Sequence, residues 1–149
     1  GAKGVTTMPK IDRSKIPFGN TVSYPKEFAP VIEGREKQKL GDAVGLTQFG
    51  VNISRIKANS KSALRHWHET EDEFVYVLEG ELVLQEDAGE TVLKPGDAAG
   101  WKANGGIGHC LINRTGKNAT IVSIFVVACK FNFCAVNVPP PASAIGNSN

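Results

Sequence analysis

Between residues 41 and 130 the chain is a succession of short runs rich in apolar and β-branched residues, separated by polar clusters. The runs fall at 46–56, 63–68, 74–78, 81–85, 91–94, 107–112 and 120–128. The clusters between them are turn chemistry: Asn59-Ser60-Lys61-Ser62, Glu79-Gly80, Asp87-Ala88-Gly89-Glu90, Pro95-Gly96-Asp97 and Asn113-Arg114-Thr115-Gly116-Lys117. None of this stretch repeats with the 3.6-residue period of a helix. Short strands recurring every ~8–12 residues predict an antiparallel sandwich or barrel, an all-β fold. In the run 74–78, Val75 and Val77 alternate with Phe74, Tyr76 and Leu78. A two-residue period sends the valines to one face and the larger residues to the other. The valines are expected inside the barrel, so the larger residues face out and ask for a cover.

The ends of the chain differ from this middle. Residues 1–40 are polar, broken by Pro9, Pro17, Pro25 and Pro30, and finish in the charged run 33–39. They predict an extended N-terminal arm. The division expected is an arm at 1–40, a barrel domain at 41–130 and a C-terminal extension at 131–149. The last part of that extension, PPPASAIGNSN, has the composition of disorder. The segment 130–138 (KFNFCAVNV) reads either as an added edge strand or as a misread end of the gene. Met8 is a candidate natural start, which would make residues 1–7 an appendage.

Charge and cysteine content exclude several classes. Residues 1–40 carry eight Lys/Arg against four acids and residues 41–149 nine against eleven, so the basic excess is spread thinly. Without interleaved aromatics or a helix-turn-helix pattern this is not a nucleic-acid surface. Cys110, Cys129 and Cys134 lack C-x-x-C spacing and read as free thiols in a reducing, cytoplasmic compartment. The N-terminus has no apolar core of a signal peptide, and no apolar run approaches the ~20 residues of a membrane helix.

The chemistry concentrates in a few residues. All three histidines, His66, His68 and His109, lie in the predicted strand region, and Glu73 stands five residues after His68. On a strand His66 and His68 share a face while Trp67 takes the other. The acidic bend Glu69-Thr70-Glu71-Asp72 reverses the chain, and Glu73 then keeps parity with Val75 and Val77. His109 keeps parity with Leu111 and Asn113, whereas Cys110 points away as a packed thiol. Three imidazoles and a carboxylate suit iron, manganese, nickel, copper or zinc, and ligand softness does not choose among them. Trp67 and Trp101 are read as ordinary packing residues.

The spacing His66-x-His68-x4-Glu73-x6-Gly80 resembles the first motif of the cupin superfamily. Gly96-Asp97 and His109-x3-Asn113 resemble its second. The likeness covers about residues 44–128, and the strings LRHWHETEDEFVYVLEGEL and GHCLINR look like those of single-domain bacterial cupins. Two departures stand out. The glycine that usually opens the first motif is Ser60 here, and the usual Pro-x-Gly of the second motif falls on Lys102 and Asn104. About two extra residues precede His109, in a loop made compliant by Gly105, Gly106 and Gly108.

The resemblance implies a double-stranded β-helix, a jelly-roll barrel with the arm attached. It also implies one divalent transition metal per chain (Fe, Mn, Ni or Zn), held by His66, His68, Glu73 and His109. Without His109 the other three would form a two-histidine, one-carboxylate site. Open metal positions imply a metal-dependent enzyme acting on a small oxygenated metabolite, of the dioxygenase, isomerase or decarboxylase type. The alternative is a non-catalytic sugar- or metabolite-binding module. A homodimer is the expected assembly, with no nucleic acid or membrane as partner.

Overall fold

In the computed structural model, residues 10–20, 33–63, 65–126 and 136–137 are described. The strands are β1 (Arg35–Lys39), β2 (Phe49–Ile56), β3 (Trp67–His68), β4 (Glu73–Glu79), β5 (Leu82–Glu86), β6 (Gly89–Leu93), β7 (Ala98–Trp101), β8 (His109–Ile112), β9 (Ala119–Val126) and β10 (Val136–Asn137). A five-stranded sheet has the order β1-β2-β9-β4-β7, and a three-stranded sheet has the order β6-β5-β8. The small pair β10-β3 stands beside them, and every strand pairing is antiparallel. The fold is all-β, a jelly-roll barrel. Among the described residues helix is confined to a 3₁₀ turn at Arg13–Lys15 and a single α turn at Leu40–Ala43.

The two-residue period decides what the barrel encloses. Val75 and Val77 are 2% and 0% exposed, whereas Phe74, Tyr76 and Leu78 are 40%, 39% and 44% exposed. Inside, Val75 and Val77 pack with Ile56, Leu82, Leu84, Leu93, Leu111 and Ile121, drawing on both sheets. The turn from β4 to β5 depends on Gly80, whose φ of +80° is readily open to glycine alone. A Cβ there would also stand 2.8 Å from Ala119 Cα.

Two strands lie where the hydrophobic pattern is silent. Residues 98–101 (Ala-Ala-Gly-Trp) have no β-branched residue, yet they form β7 against β4. Ala98 and Gly100 stand opposite Tyr76 and Phe74, so small residues accompany large aromatics across the pair. Residues 35–39, at the end of the expected arm, form the edge strand β1 paired along its length with β2. Gly19 pairs in turn with Lys37, tying residues 10–20 to the same edge. The run 63–68 is regular only at Trp67–His68, and around it Lys61 and His66 make single bridges to Ile112 and His109. Of the C-terminal extension, the backbone of Val136–Asn137 is described, and it pairs with β3. Residues 1–9, Cys129, Cys134 and the segment 138–149 lie outside the described residues.

Candidate metal centre

Backbone pairing brings the histidines together. His66 N–H donates to the His109 carbonyl at 3.2 Å, and His109 N–H donates to the His66 carbonyl at 3.0 Å. Residues that exchange both hydrogen bonds in an antiparallel pair present their side chains to the same face. His68 follows on that face, and its Nε2 is 3.2 Å from His66 Nε2. Glu73 arrives from the first position of β4, with Oε2 3.4 Å from both His68 Nε2 and His109 Nε2.

Among the described residues, His66, His68 and Glu73 form a set whose ligand atoms all lie within 4.8 Å of one another, so the three could hold a metal ion. His109 adjoins this set through Glu73, and its ring centroid is 5.8 Å from that of His66.

The loop before His109 holds its position despite the altered motif. Asn104 takes φ +55°, a left-handed conformation that asparagine tolerates and that glycine would otherwise supply. Its N–H donates to the His68 carbonyl at 2.9 Å, and Ala103 N–H donates to Asp72 Oδ1 at 2.7 Å. The loop is thereby fastened to the strand and bend that carry the other ligand candidates. Trp101 lies flat on the His109 ring, with centroids 3.7 Å apart and planes 1° from parallel. Its indole N–H donates to Glu86 Oε1 at 2.9 Å, so the stacking surface is itself anchored. Trp101 therefore positions a site residue, a role its sequence context did not reveal. Cys110 is buried and directed at Gln85, away from the cluster, with burial raising its thiol pKa.

The hydrogen-bonding inventory suits a cation. His109 Nδ1 lies 3.0 Å from the Ile107 carbonyl, which only a protonated Nδ1 can satisfy. In the neutral ring that leaves Nε2 as a lone pair facing the Glu73 carboxylate, and a proton or a cation must lie between them. His68 Nδ1 is buried without a hydrogen-bond partner among the described residues, and Glu71 stands 3.8 Å away. A carboxylate behind the outer nitrogen of a histidine is the usual second layer of a metal site. Burial alone would raise the Glu73 carboxyl, yet hydrogen bonds from His109 and His68 outweigh it and hold the group well below its ordinary range. His68 is shifted upward, chiefly by its hydrogen bond to Glu73 and against the opposing effect of burial. The donor set fits a divalent cation.

A second charged group acts on Glu73. Lys37, on β1, is lowered to about 8, first by burial and then by Arg35, while Glu73 opposes the shift.

The Cupin domain family matches residues 52–125. A sugar phosphate isomerase of the cupin superfamily from Silicibacter pomeroyi is 43% identical, with a TM-score of 0.77, over 79% of this chain and 75% of its own. The chain belongs to the cupin superfamily. A second cupin-fold structure, described as a sugar phosphate isomerase of Acidithiobacillus ferrooxidans, is 30% identical with a TM-score of 0.59. That match covers 62% of this chain and 58% of the other. A protein described as an oxalate decarboxylase from Thermotoga maritima shares the fold at 20% identity and a TM-score of 0.61, over 78% of this cupin and 97% of its own length. Among curated proteins none matches the chain. Cupins commonly bind a divalent metal. No helix among the described residues is long and apolar enough to cross a membrane.

Proposed function

We propose that this cupin is a metal-dependent isomerase of a small phosphorylated sugar. The observation that carries the reading is the convergence of His66, His68 and Glu73, with His109 3.4 Å from Glu73 on its other side. Among cupin reactions, isomerisation is favoured by the 43% identity to the Silicibacter pomeroyi enzyme. His66, His68 and Glu73 would hold the ion, with His109 as the fourth ligand and iron, manganese, nickel or zinc as its identity. The bound ion would supply Lewis acidity toward adjacent oxygens of the sugar. The chain's own part is to keep those ligands in place. Trp101 and the Ile107 carbonyl fix the His109 ring, and Glu71 stands behind His68.

The test is elemental analysis of protein purified without an affinity metal, together with aldose–ketose interconversion followed by NMR. About one equivalent of metal is expected, lost in His66→Ala and weakened in His109→Ala. Absence of turnover across phosphorylated aldoses and ketoses, with metal restored, would sink the isomerase reading. A binding module would then be the better account.

We read the outer face of the large sheet as the subunit contact of a homodimer. Phe74 stands opposite Ile124, and Phe49 opposite Val126, and all four are exposed. A contiguous apolar stripe on a sheet face calls for a cover. Sedimentation equilibrium should give a dimer for the wild type and a monomer for Phe74→Lys. A monomeric wild type would count against the assembly.

A further inference from the structure

Strand β1 carries a basic residue at each of its inward positions. Its sequence Arg35-Glu36-Lys37-Gln38-Lys39 alternates, and the register sets Lys37 opposite Ser54 and Lys39 opposite Asn52. The Ser54 row continues through Ile121 to Val77, and the Asn52 row through Ser123 to Val75. Directly opposed residues share a face, and Val75, Val77 and Ile121 are core. Lys37 therefore stands on the face that looks into the barrel.

The outward residues of β1 are satisfied. Glu36 pairs with Arg55 and Lys57, and Gln38 binds Arg13 and the Ile16 carbonyl. Inside, Arg35 is held by the Ser62 carbonyl. Lys37 is different: among the described residues no carboxylate lies within ion-pairing distance of it, and its ammonium makes no hydrogen bond. Asn52 and Ser54, 6% and 3% exposed, likewise make no side-chain hydrogen bond to a described residue. Their donors point the same way as the Lys37 charge. Glu73 shares the inward face of β4 with Val75 and Val77, so Lys37 and the carboxylate of the metal-centre cluster lie on one face of the large sheet. The charge of Lys37 acts on both His68 and Glu73. Glu73 is already engaged by His68 and His109. A cation drawn partly out of water without a counter-ion is costly, and an incoming oxyanion removes that cost.

We propose that Lys37, with Ser54, Asn52 and Ser123, forms an oxyanion subsite that holds the phosphate of the substrate while its oxygenated end faces His66, His68 and Glu73. The sugar part of this assignment rests on the isomerase reading, whereas the phosphate part rests on β1 and its neighbours. An ammonium, two hydroxyls and an amide supply donors without a carboxylate in the row to repel the anion. Lys37 lies outside the stretch matched by the Cupin domain, whereas Asn52, Ser54 and Ser123 lie within it.

Titration of inorganic phosphate into the full chain tests it, by calorimetry before and after metal is removed with a chelator. Binding should persist without metal, weaken at least ~10-fold in Lys37→Met and partly return in Lys37→Arg. Melting temperatures of both variants should stay near the wild type. With metal restored, Lys37→Met should raise KM for a phosphorylated sugar more than it lowers kcat. No phosphate binding by the metal-free wild type, or equal binding by Lys37→Met, would overturn the subsite. Metal content and isomerisation would then still stand or fall on their own. Lys37-dependent phosphate binding in a chain that takes up no metal would support the subsite and remove the isomerase reading.

Discussion

Glu73→Gln is expected to abolish metal uptake and to erase most of the pH dependence of the metal-free barrel. The substitution keeps size and removes the one negative charge that touches both His68 and His109. Loss of an outer partner of a metal ligand already costs roughly 10–100-fold in affinity, and loss of a ligand charge should exceed that. The pH effect has two signs. The Glu73 carboxyl is held below its ordinary 4.5, so its contribution is present above that value and lost as pH falls through the folded-state pKa. His68 is raised above 6.5, so its contribution is present below 6.5 and lost as pH rises through the higher folded value. Both describe one interaction, which is fully present between 4.5 and 6.5 in the metal-free protein. Metal affinity runs the other way, because imidazoles must shed protons to ligate. Thermal melts of the chelated wild type from acid to neutral pH should show this maximum, and those of Glu73→Gln should be nearly flat. A flat wild-type profile would mean that the carboxylate does not bridge the two imidazoles in solution.

Asn113→Ala is expected to be the most destabilising single substitution away from the cluster, at about 3 kcal/mol or more. Asn113 is fully buried and uses both ends of its amide. Nδ2 donates to the Ile56 carbonyl at 2.9 Å and to the Lys117 carbonyl at 2.7 Å. Oδ1 accepts from Thr115 N–H at 2.9 Å and from the Thr115 hydroxyl at 2.7 Å. Alanine would take two donors from the Ile56 and Lys117 carbonyls and two acceptor contacts from Thr115, and would release the turn between β8 and β9. Each orphaned buried group costs ~1–3 kcal/mol beyond the bond itself. Urea denaturation should show a lower midpoint with an unchanged slope. A loss under ~1 kcal/mol would mean that water replaces the amide, and the turn would then be held by other contacts.

Parity made much of the site legible before any fold was drawn. His66 and His68 had to share a face because they are two apart on extended chain, and Glu73 had to point inward with Val75 and Val77. Phe74, Tyr76 and Leu78 had to point out for the same reason. Asn113 was readable only as an inward position, since the identities of its three partner residues depend on a turn whose geometry no pattern encodes. His109 was the hardest of the site residues. Its motif lacks the usual glycine, and its place depends on Asn104 adopting a left-handed φ and on the backbone bridge to His66.

Lys37 and Trp101 were missed for different reasons. The alternation of Arg35, Lys37 and Lys39 with Glu36 and Gln38 was in plain view, but strand periodicity is recognised by apolar residues, and here the inward set is basic. Trp101 sits in a run with too few β-formers to announce a strand, so its stacking on His109 could not be anticipated.

By itself the sequence determined the all-β class, the inward and outward positions at 66–68, 73–78 and 109–113, and the cluster of residue types suited to a metal. Those properties follow from a local two-residue period and from the chemistry of single side chains. Only the tertiary structure decided that a basic edge strand joins the barrel, that Trp101 stacks on His109, and that Lys37 stands on the inward face of the large sheet. Such relations arise from register between strands distant in sequence, where one residue of slip would turn every side chain to the opposite face.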